Sequence, residues 1–484
     1  MDRGQNRPYD APVYSLTPRC PGGDGRIPPP LLLPGALLPA RGLLARGLLA
    51  RGLLVRGLAG GGFLLAACGP EGARNIALVG GRGGPEEVAD APGTADTAPG
   101  EASPPVTEED AGGMDADLDG WIFSDERIHA IDITLPASSI DALYADPYTS
   151  AVGAVTFDGE AVPDIGVRLR GKIGSFRDLS GKPKFALDFN TFVPGQRFYG
   201  LESLSLNNSV VDCSYLKESV GYRIFGLAGV PHERTGFATV TVNGAPYGLY
   251  VLIETPDDRF LRRAYPDPSG NLYDGKYIWR GGWDYTLLDF NSGVDELFQL
   301  EEGVDVGNAD IKVVSRAVGH WMGGNEFETG LDSVLDWDEY HRELAVEQWI
   351  GHNDGYALNR NNYRVYFDPA DGKAEIIPWD LDYAFLYDYE WGMSWRTPAG
   401  QIAYGCFVDR ACSAHHAAVM GEVLASIDTT ALLDWYDDVA DLTEAAALAD
   451  PRRECGAASI RSYRQTLRAW ITGQNDTMRT YWGL

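Results

Sequence analysis

The sequence predicts an α+β protein in two lobes, a β-rich lobe over residues 121–255 and a mostly helical lobe over 256–484. Three observations predict it. Between Ile128 and Glu254 short apolar runs alternate with polar residues and are punctuated by Gly and Asp, the period of strands. The only strong helical pattern in that region is Tyr215 to Leu227. After Pro256 helical spacing dominates.

Taken in order, the segment from Ile128 to Leu135 alternates as a strand, and AVTFDGEAV, IGVRLRG and KFALDFN continue the pattern. The stretch YLKESVGYRIFGL is a helix with Asp212 or Ser214 as its N-cap. FATVTVNGAPYGLYVLIET is a hairpin closed by an Asn-Gly turn. VDELFQLEE, VVSRAVGHWM and WDEYHRELAVEQWIGHN read as helices, interrupted by the hairpin YRVYFDPADGKAEIIPWD. Residues 415–484 are again mostly helical.

The residues ahead of this folded part differ in kind. Arg41, Arg46, Arg51 and Arg56 mark a five-residue repeat that leads into GGGFLLAACGPEG, where Leu65-Ala66-Ala67-Cys68 has the small residues and cysteine of a bacterial lipoprotein cleavage site. Residues 1–68 are therefore expected to be a leader, with a start downstream of Met1 and a lipid on Cys68 as the membrane anchor. Residues 69–120, rich in Pro, Ala, Gly and acidic groups, suit a disordered tether. No run of 18 or more strongly apolar residues is present, so no spanning helix is expected. The predicted location is extracytoplasmic, in the periplasm or on the cell surface.

A formal charge of −29 argues against nucleic acid and anionic membrane surfaces as partners, because both require positive patches. Of six cysteines, Cys20 leaves with the leader and Cys68 carries lipid. Cys213, Cys406, Cys412 and Cys455 permit two disulfides in three connectivities, Cys406–Cys412 being favoured as a short loop clip. Asp115, Asp117, Asp119 and Glu126 match the spacing of a calcium loop. No helix enters it, and acidic linkers generate such runs, so calcium is not expected there. His415-His416 reads as a surface pair.

The chemistry is concentrated after the helix that ends near Ile350. Asp354 and Asn359 stand in the spacing Asp-x4-Asn, and Asp380 follows a strand-like run in an apolar setting with Asp382 two residues on. Two carboxylates at i and i+2 on a strand would share one face, and apolar surroundings would raise a lone carboxylate's pKa, so a cation partner is expected. Kinase-type phosphoryl transfer needs parts in this order: a carboxylate that accepts the substrate hydroxyl proton, then an Asn and a second carboxylate that hold Mg²⁺ against ATP phosphates. Upstream, Arg170 begins the glycine-containing turn Arg170-Gly171-Lys172-Ile173-Gly174, which could lie over phosphates. Lys184 opens KFALDF on the face opposite Phe185, Leu187 and Phe189. In such a site it would contact phosphate and pair with Glu218, while Glu254 sits where a nucleotide-facing hinge would be.

Together the segments VRLRGKIGSF, KPKFALDFN, YLKESVGYRIFGLAGVPHERT, VTVNGAPYGLYVLIE, GNLYDGKY, NDGYALNRNNYRVYF and IIPWDLDYAF resemble, in order, the CotH family of spore-coat protein kinases with an atypical kinase fold. The resemblance implies ATP-dependent phosphorylation of Ser or Thr on exported or surface proteins, with Mg²⁺ or Mn²⁺. It implies Asp354 as catalytic base, Asn359 and Asp380 as metal ligands, and Lys184, with Lys182 two residues away, as phosphate holder. Two other readings stand beside it. One is a lipid-tethered adhesin or scaffold that keeps the fold without turnover. The other is a carbohydrate-active enzyme with Asp354 and Asp380 as acid and base, which would leave Lys184 and Glu218 without a task.

Overall fold

In this computed structural model, residues 118–281 and 284–484 are described. The expected leader, Cys68, the tether as far as residue 117, and with it Asp115 and Asp117, lie outside them. The first elements are β1 (Ile128–Thr134), α1 (Ala137–Ala145), β2 (Ala151–Phe157), β3 (Glu160–Arg170), β4 (Lys184–Asp188), β5 (Ser203–Asn207), α2 (Lys217–Leu227), β6 (Thr235–Val242) and β7 (Ala245–Glu254). Among the described residues these strands close into a barrel in the order β1-β2-β3-β4-β5-β7-β6, the parallel pair β6–β1 closing it. Alternation dictates its filling: Ile131, Val155, Phe185, Leu187, Leu204 and Leu252 point into one continuous apolar core. The β6–β7 turn is Asn243-Gly244, both at positive φ (51° and 76°), which matches the twist of the flanking strands.

Asp119, the second of the described residues, is buried and ion-paired to Arg234 and Arg259.

The second half contains α3 (Asp258–Ala264), β8 (Asn271–Asp274), β9 (Ile278–Gly281), β10 (Asp284–Thr286), β11 (Gln299–Glu302), α4 (Ala309–Trp321), α5 (Phe327–Leu331), α6 (Trp337–Ile350), α7 (Tyr356–Asn359), β12 (Tyr363–Phe367), β13 (Ala374–Pro378), α8 (Gln401–Val408), α9 (Arg410–Ser426), α10 (Thr429–Ala449) and α11 (Ala457–Trp482). The predicted hairpin is β12–β13, and it does not stand alone: β8 pairs with β12, and β11 with β8, in a four-stranded sheet. VDELFQLEE, expected to be helical, makes only a 3₁₀ turn at Asp295–Leu297 before β11. Its apolar residues satisfy both periods, and pairing with β8 decides between them. Among the described residues, no helix is long and apolar enough to cross a membrane.

Helix α2 joins the halves. Val220 and Ile224 pack in one cluster with Leu249 and Val251 of β7, Trp349 and Ile350 of α6, and Leu381. A Cβ on Gly221 would come within 2.6 Å of a Leu381 methyl, so glycine permits the close approach that sets Glu218 over the segment at Asp380. Ahead of α2, Asp212 accepts from the Ser214 and Lys217 backbone N–H groups. Two disulfides, Cys213–Cys455 and Cys406–Cys412, are present, with Cα separations of 5.7 and 5.0 Å.

Candidate active site

The register of β3 against β4 places Arg170 directly opposite Lys184, so both side chains rise from the same face of the barrel wall. That face is covered by α2 and by the chain leaving β13. Ser205, Asn207, Glu218, Trp379 and Asp380 complete a cleft around Arg170 and Lys184. Lys184 is buried, and its ammonium donates to both carboxylate oxygens of Asp380 (3.0 and 3.1 Å) and to Asp382 (2.8 Å).

The electrostatics follow from this contact. Burial alone would pull the Lys184 ammonium down, yet the charges of Asp380 and Asp382 outweigh it and hold it above the usual lysine range. Burial would likewise raise Asp380, but Lys184 and Arg170 keep it below the usual carboxylate range. Asp382 is pushed up to about 7, first by burial and then by the negative charge of Asp380. Two carboxylates share one lysine, and the less favoured one holds its proton more tightly. Glu218 lies buried beside them with one carboxyl oxygen lacking a hydrogen-bond partner, and burial pushes its carboxyl well above the ordinary range.

The Asp380 segment differs from the strand expected there. Asp380 is left-handed (φ 47°) and Leu381–Tyr383 form a 3₁₀ turn, so Asp380 and Asp382 converge on Lys184 by curvature and not by strand alternation. Non-glycine residues in this conformation are strained and concentrate at functional sites. The guanidinium groups of Arg170 (4.9 Å) and Arg364 (5.0 Å) both stack on the ring of Trp379, just before Asp380. Arg170 also donates to Ser205 Oγ, and burial lowers it to about 10.

Asp354 arrives from the turn after α6, which ends at left-handed Gly351. Asn359, from α7, donates to one of its carboxylate oxygens, and Asn362 donates to the other (3.0 Å) and to the Asp380 carbonyl (3.3 Å). Asn362 thereby ties Asp354 to the Asp380 turn. Burial pushes Asp354 up to about 6 against the pull of these amides. The glycine turn borders the same site: Gly171 lines the cleft, and a Cβ on Gly174 (φ 84°) would lie 2.3 Å from the Tyr383 hydroxyl.

The structure thus brings together Arg170, Lys184, Glu218, Asp354, Asn359 and Asp380. Two expectations are corrected. The ion-pair partners of Lys184 are Asp380 and Asp382, while Glu218 acts on it only through its nearby charge. Glu254 does not line the cleft, because its carboxylate is taken by Arg234 and Arg263, which hold it below the usual range despite burial. Lys182 is separated from the site as well, its ammonium going to Asp450 (2.6 Å) and the Leu249 carbonyl (2.6 Å). Sequence reasoning passed over Asn362 as a site residue and took Asp382 only as the companion of Asp380. The repeats Asp-Leu-Asp and Asn-Asn were the available signals.

The donor set suits a hard divalent cation. Asp354, Asn359 and Asp380 offer carboxylate and amide oxygens, and the Lys184 ammonium already stands between two carboxylates as their counter-charge. The cleft between these side chains is small, with a volume of about 30 Å³.

Residues 167–409 match the family model described as CotH kinase protein. The inner spore coat protein H of Bacillus subtilis (strain 168) is 23% identical over 209 residues, 42% of this chain and 53% of that protein. The chain therefore spans about half the length of the curated relative it matches. Among solved structures, the complex of the Shewanella oneidensis MR-1 toxin–antitoxin system HipA, HipB and its operator DNA aligns at 12% identity, over 73% of this chain and 74% of that chain, with a TM-score of 0.29. That likeness carries no argument.

Proposed function

This chain belongs to the CotH kinase protein family, and from that premise we propose that it is a two-lobed kinase that transfers phosphate from ATP to Ser or Thr hydroxyls of exported or surface proteins. The observation that carries the reading is the convergence of Lys184 from the barrel wall with Asp380 and Asp382, beside Asp354. In the kinase reading Lys184 would hold phosphate and Asp380 the metal, with Asp354 beside them as the base.

Asp354, with its proton affinity raised to about 6, is ionised at neutral pH and still basic enough to take the proton of a substrate hydroxyl. That oxygen then attacks the γ-phosphorus, the bond to the β-phosphate oxygen breaks, and ADP leaves. Asn359 and Asn362 orient the carboxylate through their amide hydrogens. Lys184 and Arg170 supply positive charge for the phosphates. Asn359 and Asp380 would hold Mg²⁺, which when bound neutralises charge on the transferring phosphoryl group. The two-lobed arrangement, the lipid on Cys68 and the extracytoplasmic location belong to the same proposal. The spore-coat name of the relative supports a surface setting.

One observation favours a second reading, a surface binding protein without turnover: a cavity of about 30 Å³ is far below the ~300–1,000 Å³ of small-molecule sites. Under the kinase reading the barrel and the Asp380 turn must separate to admit ATP. Titration calorimetry of the full chain with ATP, with and without Mg²⁺, decides between them. Mg²⁺-dependent binding that is lost in Asp380→Asn is expected. No heat of binding under either condition would contradict the kinase and leave the binding protein.

A further inference from the structure

A second cluster of ligand atoms lies outside the cleft, where α5, α6 and α9 meet. Glu328 Oε1 of α5 is 2.5 Å from His415 Nδ1 of α9 and 3.5 Å from His341 Nε2 of α6. The two imidazole rings stand 4.6 Å apart, centre to centre. All three ligand atoms fall within 4.8 Å of one another. His415, expected on the surface with His416, is only partly exposed, and His416 is fully buried.

His341 supplies the independent observation. It is fully buried, and neither of its ring nitrogens has a hydrogen-bond partner. Buried polar groups are nearly always satisfied, and each exception calls for a ligand or a function. Glu328 and His415 also border a cavity of about 360 Å³, shared with Asp332, Asp336, Asp338 and Lys373. The cavity is predominantly acidic, which favours a cation over an anion.

We propose that Glu328, His341 and His415 form a site for a divalent transition metal of the zinc class, with a fourth coordination position open to this cavity. Two imidazoles and one carboxylate are a set that zinc accepts while retaining a water. The hydrogen bond between His415 and Glu328 is what the ion replaces. The scaffold is fixed without the metal: Asp409 caps α9 at Ala411 and accepts from the Phe327 backbone, the residue before Glu328. The Cys406–Cys412 disulfide clips the same end of α9 and takes both sulfurs out of the donor set.

The test is titration of Zn²⁺ into the full chain, disulfides intact, against a chromophoric chelator. One tight equivalent is expected in the parent and in Asp380→Asn, weakened at least ~100-fold in His415→Gln and in Glu328→Gln. X-ray absorption should show imidazole and oxygen ligands at about 2.0–2.1 Å. Three results would overturn the proposal: no stoichiometric zinc in the parent, less than about tenfold weakening in both variants, or loss confined to Asp380→Asn. Both variant positions are partly exposed, so matching circular dichroism spectra would separate lost ligation from lost folding.

Discussion

The Lys184 ammonium lies 3.0 Å from one carboxylate oxygen of Asp380 and 3.1 Å from the other, although 196 residues separate the two in sequence. The contact crosses from the barrel wall to the turn after β13. It holds those surfaces together and, in the proposed kinase, would supply charges for phosphoryl transfer.

Removing the lysine therefore has a structural cost besides a functional one. Lys184→Met leaves Asp380 and Asp382 facing each other unpaired, and breaking a buried pair of this kind costs about 3–5 kcal/mol. Without the lysine both carboxyls favour the protonated folded form, so the deficit shrinks as pH falls from 8 towards 5. Urea midpoints across that range measure it, and a deficit independent of pH would contradict the assignment.

As the base of the proposed kinase, Asp354 should set the acid limb of activity. Its folded pKa is raised from 3.8 to about 6, so the carboxylate becomes a competent base only as pH rises through that value. The kcat/KM profile should climb between pH 5 and 7. Asp354→Asn should lower kcat by about 10²–10⁴-fold and leave nucleotide binding nearly unchanged. A profile flat down to pH 4.5 would exclude Asp354 as the base.

Gly174 can be tested against Tyr383. Gly174→Ala places a methyl where the Tyr383 hydroxyl lies and adds strain at φ 84°. It should displace the turn, raise KM for ATP severalfold and lower Tm. Tyr383→Phe in the same chain should recover part of the loss, since it removes the hydroxyl and not the backbone strain. Strictly additive effects would show that the two do not touch in solution.

The two disulfides should differ in value. Cys213–Cys455 closes a separation of 242 residues and Cys406–Cys412 one of 6. In the chain-entropy account the longer loop stabilises more, with about 2–5 kcal/mol for the first and the lower end of that range for the second. Denaturant midpoints of Cys455→Ser and Cys412→Ser, compared with the parent, should fall in that order.

Local signals in the sequence carried much of this. The Asn243-Gly244 hairpin, α2, α6 and the β12–β13 hairpin each follow from periodicity and turn residues read within about twenty positions. The spacing of Asp354, Asn359 and Asp380 was legible for the same reason, since one hairpin separates them. Long-range choices were not legible. The transfer of Lys184 from Glu218 to Asp382 depends on the left-handed turn at Asp380, and the diversion of Glu254 depends on where Arg234 and Arg263 fall. β11 became a strand because β8 was there to pair with it. His341 sat inside an amphipathic helix, where a histidine reads as core until α5 and α9 are placed beside it.

The central claim is that this cleft transfers phosphate, and the direct measurement is label from γ-³²P ATP appearing on a casein-like acceptor with the full chain and Mg²⁺. Acid-stable phosphoserine or phosphothreonine is expected in the parent, and none above background in Asp354→Asn, Asp380→Asn or Lys184→Met. Transfer that persists in Asp380→Asn, or its absence from a parent chain that folds and binds ATP, would contradict it.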